Sequence, residues 1–233
     1  MQIKRLKLYH SPALRSTRVK WLLHEILSDD FDVESIDAYS DLYTPEFRKL
    51  NPNHALPVLE ITLENNETVV MIESGAMLVM LADLFPASRL APPARPFSKE
   101  RADYLQMLHF LCTSMDMMLW QLRIHEHVLP ASERDDRTIR RYRRKIAEEV
   151  EPQLAKRLRE TPYICGAAFT AADCVMGYNL MWSRAAGLCT DPVFTDYLAR
   201  VAARPAYASA FADRHLFVRT VPEDAPVKMQ FTG

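Results

Sequence analysis

The chain is short of glycine, with 5 among 233 residues. A phosphate-cradling loop needs several glycines at fixed spacing, and no such loop is present. Cysteine is scarce too. Cys112, Cys165, Cys174 and Cys189 stand apart and make no C-x-x-C pair. That spacing argues against a structural zinc site, a disulfide framework or a dithiol redox motif, and leaves the four as small apolar residues of a reduced protein. Excess charge of one sign is also missing, the net being −1, so no overall field draws the chain to nucleic acid or to an anionic membrane. No apolar run is long enough to span a bilayer, and the first residues lack the apolar stretch of a signal peptide. The expectation is a cytoplasmic protein without a metal. What is present is ordinary for a globular chain: 48% hydrophobic and 25% charged residues, over a length that holds one large or two small domains.

Residues 3–9 have strand character, which Ser11-Pro12 ends. Val19, Leu22, Leu23 and Ile26 recur at three and four, predicting a helix over 16–27. Phe31, Val33 and Ile36 alternate loosely and predict a strand over 31–38. Strand, helix, strand in that order favours a parallel pair with a right-handed crossover. A short helix over 45–50 stops before Asn51-Pro52. Strands over 56–63 and 69–72 flank the turn Glu64-Asn65-Asn66-Glu67, and a helix over 74–84 follows. Four prolines between Pro86 and Pro96 mark 87–97 as a linker. Beyond it the pattern is helical: 98–128; 136–160, with Pro152 expected to kink or divide it; 171–186; 194–202; and 207–212. An extended tail is expected from Val221. Thr170-Ala171-Ala172-Asp173 reads as an acidic capping box, with Phe169 and Cys174 at the staple positions. The expected division is an α/β domain over 1–86, the linker, and an all-helical domain over 98–233.

Two short segments carry the chemistry. Pro57 stands in the apolar run Leu56-Pro57-Val58-Leu59, and a proline cannot donate to a sheet ladder. The backbone before it is left free to pair with something else. Glu73-Ser74 opens a helix, and a helix N-terminus is a ready anion site; the plain alternative is an N-cap with a favourable acid beside it. Together they point to a pocket for a small peptide-like ligand, held by its backbone and a carboxylate. The basic run from Arg137 to Lys145 holds one interleaved aromatic, Tyr142, and reads as a solvated helix face rather than a nucleic-acid surface. His109, His125 and His127 have no spacing that completes a metal ligand set.

In order and spacing these segments resemble the cytosolic glutathione transferase family along nearly the whole chain. Arg15-Ser16-Thr17-Arg18-Val19-Lys20-Trp21-Leu22-Leu23-His24-Glu25 is similar to the first helix of bacterial and fungal members. Asn51-Pro52 through Leu56-Pro57-Val58-Leu59 resembles the family's N-P-x-x-x-V-P-x-L segment, Glu73-Ser74 its E-S dipeptide, and Thr170 to Asp173 its capping box. The resemblance implies a thioredoxin-like domain joined to an all-helical domain, as a homodimer, with glutathione as co-substrate. It implies that Pro57 is cis, that Leu56 offers its backbone to the cysteinyl part of glutathione, that Ser74 binds the γ-glutamyl carboxylate with Glu73 near the ammonium, and that Asn53 and His54 lie toward the glycyl carboxylate.

A transferase of this kind must favour thiolate over thiol. Family members use a Tyr, Ser or Cys just after the first strand, and a hydroxyl donating to the sulfur lowers its pKa. Tyr9 ends the strand and no cysteine is near. Aligning Arg18 with the family's helix puts the usual hydroxyl position near Ala13 or Leu14, which carry none. Ser16, which fits the motif, is the first candidate and Ser11, which fits a loop cap, the second, with Arg15 helping to stabilise the anion. Leu111, Met115 and Met118 are the expected wall for a small apolar electrophile. Other readings on the same scaffold are a glutathione-dependent disulfide reductase or peroxidase, and a non-catalytic glutathione-binding or ligand-carrier module.

Overall fold

The computed structural model describes residues 2–218, 220–222 and 224–226. Strand β1 (Ile3–His10) feeds helix α1 (Ser16–Leu27) and returns as β2 (Asp32–Ser35). Lys7 to His10 pair in parallel with Asp32 to Ser35, the crossover that the strand–helix–strand pattern predicts. Helix α2 (Pro45–Leu50) follows, then the hairpin of β3 (Val58–Leu63) and β4 (Thr68–Ile72), then α3 (Ser74–Leu84). The sheet order is β2-β1-β3-β4, with β3 antiparallel to both neighbours. This mixed sheet with its helices is the thioredoxin-like arrangement.

Several strand boundaries differ from expectation. β1 runs one residue further, to His10. β2 is half the expected 31–38, because its ladder ends at the His10–Ser35 pair; Ile36 and Ala38 instead pack against an apolar cluster. β3 begins at Val58, since Pro57 has no N–H to give the ladder.

The helical unit contains α4 (Lys99–Phe110), α5 (Asp116–Arg123), α6 (Asp136–Lys145), α7 (Glu151–Glu160), α8 (Ala171–Ala185) and α9 (Pro192–Ala202). The expected helix over 98–128 is interrupted by π-helical turns at Leu111–Met115 and Ile124–Val128. Pro152 divides its helix as predicted, with a π turn at Ile146–Val150 just ahead of it. Helix α8 is buried along most of its length. The amide of Asn179 on α8 donates to the Leu111 carbonyl at 2.8 Å. Among the described residues no helix is long and apolar enough to cross a membrane.

The compact units are Met1–Leu81 with Ala206–Gly233, and Ala82–Pro205. The division thus falls ahead of the expected linker at 87–97, and the last segment joins the sheet unit rather than the helical one. The cause is local. Trp21 on α1 is fully buried and meets Tyr207 and Phe211 edge-on, at centroid distances of 5.1 and 5.8 Å. Such aromatic pairs contribute roughly 0.5–1.5 kcal/mol each beyond the area they bury. The short helix expected at 207–212 is Pro205–Ala210. Most of the tail expected to be extended from Val221 lies outside the described residues.

Candidate functional site

Three loops of the sheet unit meet on one apolar floor. Tyr9, Leu42, Phe47, Leu56 and Val58 are buried together, and Leu14 and Ile72 pack against them. Leu14 lies in the β1–α1 loop, Leu56 just before β3, and Ile72 at the end of β4. Ser11, Arg15, Pro57, Glu73 and Ser74, far apart in sequence, are therefore carried to the rim of one floor.

The Leu56–Pro57 bond is cis. The loop before it is built by Asn51, whose side chain donates to the Ala55 carbonyl (2.7 Å) and accepts from the Asn53 N–H (3.0 Å). Leu56 is buried. Its N–H and C=O have no hydrogen-bond partner among the described residues, an arrangement that folded chains rarely leave without a purpose. His54 has a left-handed φ of 50° and stacks on Tyr43 at 5.4 Å. Its Nδ1 is buried without a partner among the described residues. Asn53 is exposed beside it.

The turn from β4 into α3 is made by Glu73, whose φ of 73° is left-handed. A non-glycine residue there carries on the order of 1 kcal/mol of strain. The first bond of α3 runs from the Met77 N–H to the Glu73 C=O (3.1 Å). The amides of residues 74–76 therefore point off the helix end. The Ser74 hydroxyl has no partner among the described residues and the residue is 7% exposed. Glu73 projects into solvent. A carboxylate placed here meets free N–H groups, a hydroxyl and the positive end of the helix dipole.

The β1–α1 loop places the two serines differently. Ser16 is fully buried. Its hydroxyl is spent inside the fold, 2.8 Å from His10 Nδ1 and 3.2 Å from both the N–H and the C=O of Ser11. Ser11 is 8% exposed, and its own hydroxyl has no partner among the described residues. Ala13 takes a left-handed φ of 56°, which turns the loop back so that the Leu14 C=O can receive the Thr17 N–H (2.8 Å). Arg15 is half-buried at the head of α1.

Sequence reasoning missed His10 and Asp213. His10 is 1% exposed. Its Nε2 lies 3.0 Å from Asp213 Oδ2, which also accepts from Lys20 Nζ at 2.7 Å. A strand-end histidine is a weak local signal, and its partner lies 203 positions away, so no spacing rule could pair them. Burial pushes the His10 imidazole below its ordinary value, outweighing the pull of Asp213. Burial works against ionisation of Asp213, but the hydrogen bonds from His10 and Lys20 win and hold its carboxyl well below the usual carboxylate range. The network is then a neutral imidazole with Nε2–H donated to an ionised Asp213, and Nδ1 accepting the Ser16 hydroxyl proton; the hydrogen-bond partners assign this tautomer.

These shifts fix the sign of a pH dependence. Unfolded, His10 takes its proton near 6.5, and folded it does so lower. Between those values the unfolded state holds more protons, so stability falls as pH drops below 6.5. Asp213 adds a second loss below 3.8, its ordinary value, as its depressed folded pKa is approached. Urea midpoints of the wild type should therefore fall more steeply than those of His10→Gln between about pH 7.5 and pH 5. Parallel profiles would contradict the assignment.

In the helical unit, Leu111 and Met115 have no exposed surface and Met118 is 7% exposed, the placement of core side chains. The capping segment is present: Asp173 accepts from the Thr170 N–H at 2.8 Å, and Phe169 and Cys174 are buried. In the basic run, Arg143 pairs with Glu126 (2.6 Å) and Lys145 with Glu149, while Arg137, Arg140, Arg141 and Arg144 are exposed.

The family model "Glutathione S-transferase, C-terminal domain" matches residues 136–208. The glutathione S-transferase GstA of Escherichia coli O157:H7 is 23% identical over 214 residues, spanning 89% of this chain and 98% of its own. A sphingomonad glutathione S-transferase, solved in complex with glutathione, is 26% identical and superposes with a TM-score of 0.75 over 91% of this chain and all of its own. A Methylococcus capsulatus glutathione transferase, also 26% identical, gives 0.76 over the same shares. The matched helical segment, the near full-length relatives and the thioredoxin-like unit agree, and all of them make the chain similar to cytosolic glutathione transferases.

Proposed function

We propose that the protein binds glutathione in its sheet unit and transfers the thiolate to small electrophiles. The observation that carries this reading is the buried Leu56, whose N–H and C=O are unpaired among the described residues and can offer a ligand the two hydrogen bonds of an added strand residue. The cysteinyl backbone of glutathione supplies the complement. Ser74 and the first amides of α3 take the γ-glutamyl carboxylate, Glu73 the ammonium, and Asn53 and His54 the glycyl end. That a similar transferase has been solved with glutathione supports the choice of ligand.

The thiolate is stabilised by the Ser11 hydroxyl, with Arg15 adding positive charge at the head of α1. Of the two serines, Ser11 has a hydroxyl without a partner among the described residues, whereas Ser16 is bonded to His10 and to the Ser11 backbone and acts by holding Ser11. The sheet unit carries no cysteine, so it offers no protein thiol of its own. The electrophile is small. The protein acts as a homodimer in the cytoplasm.

Ser11→Ala tests the chemistry. The thiol of bound glutathione, followed by thiolate ultraviolet absorbance, should ionise about one pH unit higher or more, and conjugation below that pH should slow roughly tenfold, with glutathione affinity little changed. An unchanged thiol titration would remove the serine role. Product analysis separates the reactions: a thioether supports transfer, and oxidised glutathione supports the reductase reading.

A further inference from the structure

The β1–α1 loop is tied to the far end of the chain through a continuous line of buried polar atoms. Asp213 Oδ2 meets His10 Nε2 at 3.0 Å, His10 Nδ1 meets Ser16 Oγ at 2.8 Å, and Ser16 Oγ meets the N–H and the C=O of Ser11 at 3.2 Å each. His10 and Ser16 are almost without exposed surface, so water does not compete for these bonds. Lys20 holds Asp213 in place from α1.

A serine hydroxyl has one proton and two acceptor sites. With His10 neutral and its Nε2–H given to Asp213, Nδ1 is an acceptor. The Ser16 proton then points at the ring, and Ser16 receives the Ser11 N–H. With both ring nitrogens protonated, Nδ1 becomes a donor. Ser16 must accept that bond and turn its own proton away, and the acceptor in reach is the Ser11 carbonyl, which already takes the Leu14 N–H at 3.3 Å. Apart from the proton that Nδ1 takes from solvent, no covalent bond changes and only hydroxyl orientation moves. The protonation of one buried imidazole thus changes the bonding of the residue whose hydroxyl faces the thiol.

We infer that Asp213, His10 and Ser16 form a proton-sensitive positioning relay for Ser11, so that the C-terminal segment helps to set the thiolate-stabilising hydroxyl. The inference rests on the reading of Ser11 as the thiolate's donor. The charged and titratable groups that act on His10 are Asp213 and, from α1, Lys20 and His24. Asp213, held well below the usual carboxylate range, keeps its charge through the neutral range, and His24 is controlled by its own variant.

The test is the thiolate absorbance of glutathione bound to the full chain, followed against pH. For the wild type the thiol titration should carry a second step below 6.5, the ordinary imidazole value, in which the thiolate fraction changes about threefold, equivalent to half a pKa unit. His10→Gln should remove that step, and Asp213→Asn, which still accepts the Nε2–H without the charge, should move it to lower pH. Ser16→Ala should abolish it while the His10 ring still titrates by NMR. His24→Gln should leave it in place. A purely structural role would lower urea midpoints in these variants without changing the shape of the titration.

The relay is overturned if His10→Gln or Ser16→Ala superimposes on the wild-type curve while Ser11→Ala still raises the thiol pKa; the serine reading then stands. If Ser11→Ala leaves the thiol pKa unchanged, the serine reading itself is lost, and a step that still depends on His10 must reach the sulfur by another route, which also overturns the relay through Ser11.

Discussion

Asp173→Ala should lower folding stability by about 3–5 kcal/mol, the cost of breaking a buried charged network by removing one partner. Asp173 has no exposed surface. Its carboxylate accepts from the Thr170 N–H (2.8 Å) and hydroxyl (3.0 Å), the Ile164 N–H (2.9 Å) and the Tyr197 hydroxyl (2.8 Å). It therefore starts α8, pins the loop after α7 and holds α9 through one side chain. Alanine leaves those donors in an apolar interior, and an orphaned buried donor costs roughly 1–3 kcal/mol. Some donors will rebond or find water, so the total is less than a simple sum. Urea unfolding at unchanged m checks the magnitude, and for a chain of this size the melting temperature should fall by about 10 °C. Asp173→Asn keeps one acceptor oxygen but turns an NH2 toward a donor, and should fall between the two. A loss for Asp173→Ala below about 1 kcal/mol would show that the network is not what holds α8 in place.

Ser74→Ala should weaken glutathione binding about 10- to 100-fold while leaving stability within about 0.5 kcal/mol. The separation arises because the Ser74 hydroxyl makes no hydrogen bond within the described residues, so the fold loses little when it is removed. Its value lies toward a ligand carboxylate. A hydrogen bond to a charged group contributes about 1.5–3 kcal/mol, and the amides at the head of α3 remain to hold part of the anion. Calorimetric titration with glutathione, paired with a thermal melt, reads both quantities on one preparation. Unchanged affinity would place the γ-glutamyl carboxylate elsewhere. A large loss of stability would mean that Ser74 serves the helix rather than a ligand.

Much of this was legible because its signals are local. Periodicity of three and four marked α1. Pro57 marked the start of β3, because a missing N–H is a property of one residue. The Thr170–Asp173 spacing marked the entry of α8. The segments of the proposed pocket could be singled out for the same reason: each lies within a few residues of a strand end or a helix start. The boundaries of β2 were not, because its length is set by where the ladder with β1 ends, at the His10–Ser35 pair. The π turns were invisible because their pattern differs from an α-helix by one residue in the hydrogen-bond step. The motif favoured Ser16 over Ser11, and the bonding of the Ser16 hydroxyl inside the fold turns that choice round. It depends on which hydroxyl the fold consumes, and that is decided by His10, whose anchor Asp213 comes from the opposite end of the chain. The return of the last segment to the sheet unit was hidden likewise, since Trp21, Tyr207 and Phe211 look like ordinary core residues until Trp21 is seen edge-on to the other two.

The most direct test of the central claim is a crystal structure of the protein with glutathione. The account predicts the cysteinyl backbone paired with the N–H and C=O of Leu56, the γ-glutamyl carboxylate at Ser74 and the head of α3, and the sulfur within about 3.5 Å of the Ser11 hydroxyl, the limit of a hydrogen bond to sulfur being slightly longer than to oxygen. Glutathione bound away from Leu56, or a sulfur beyond reach of Ser11 with the tripeptide otherwise in place, would contradict it.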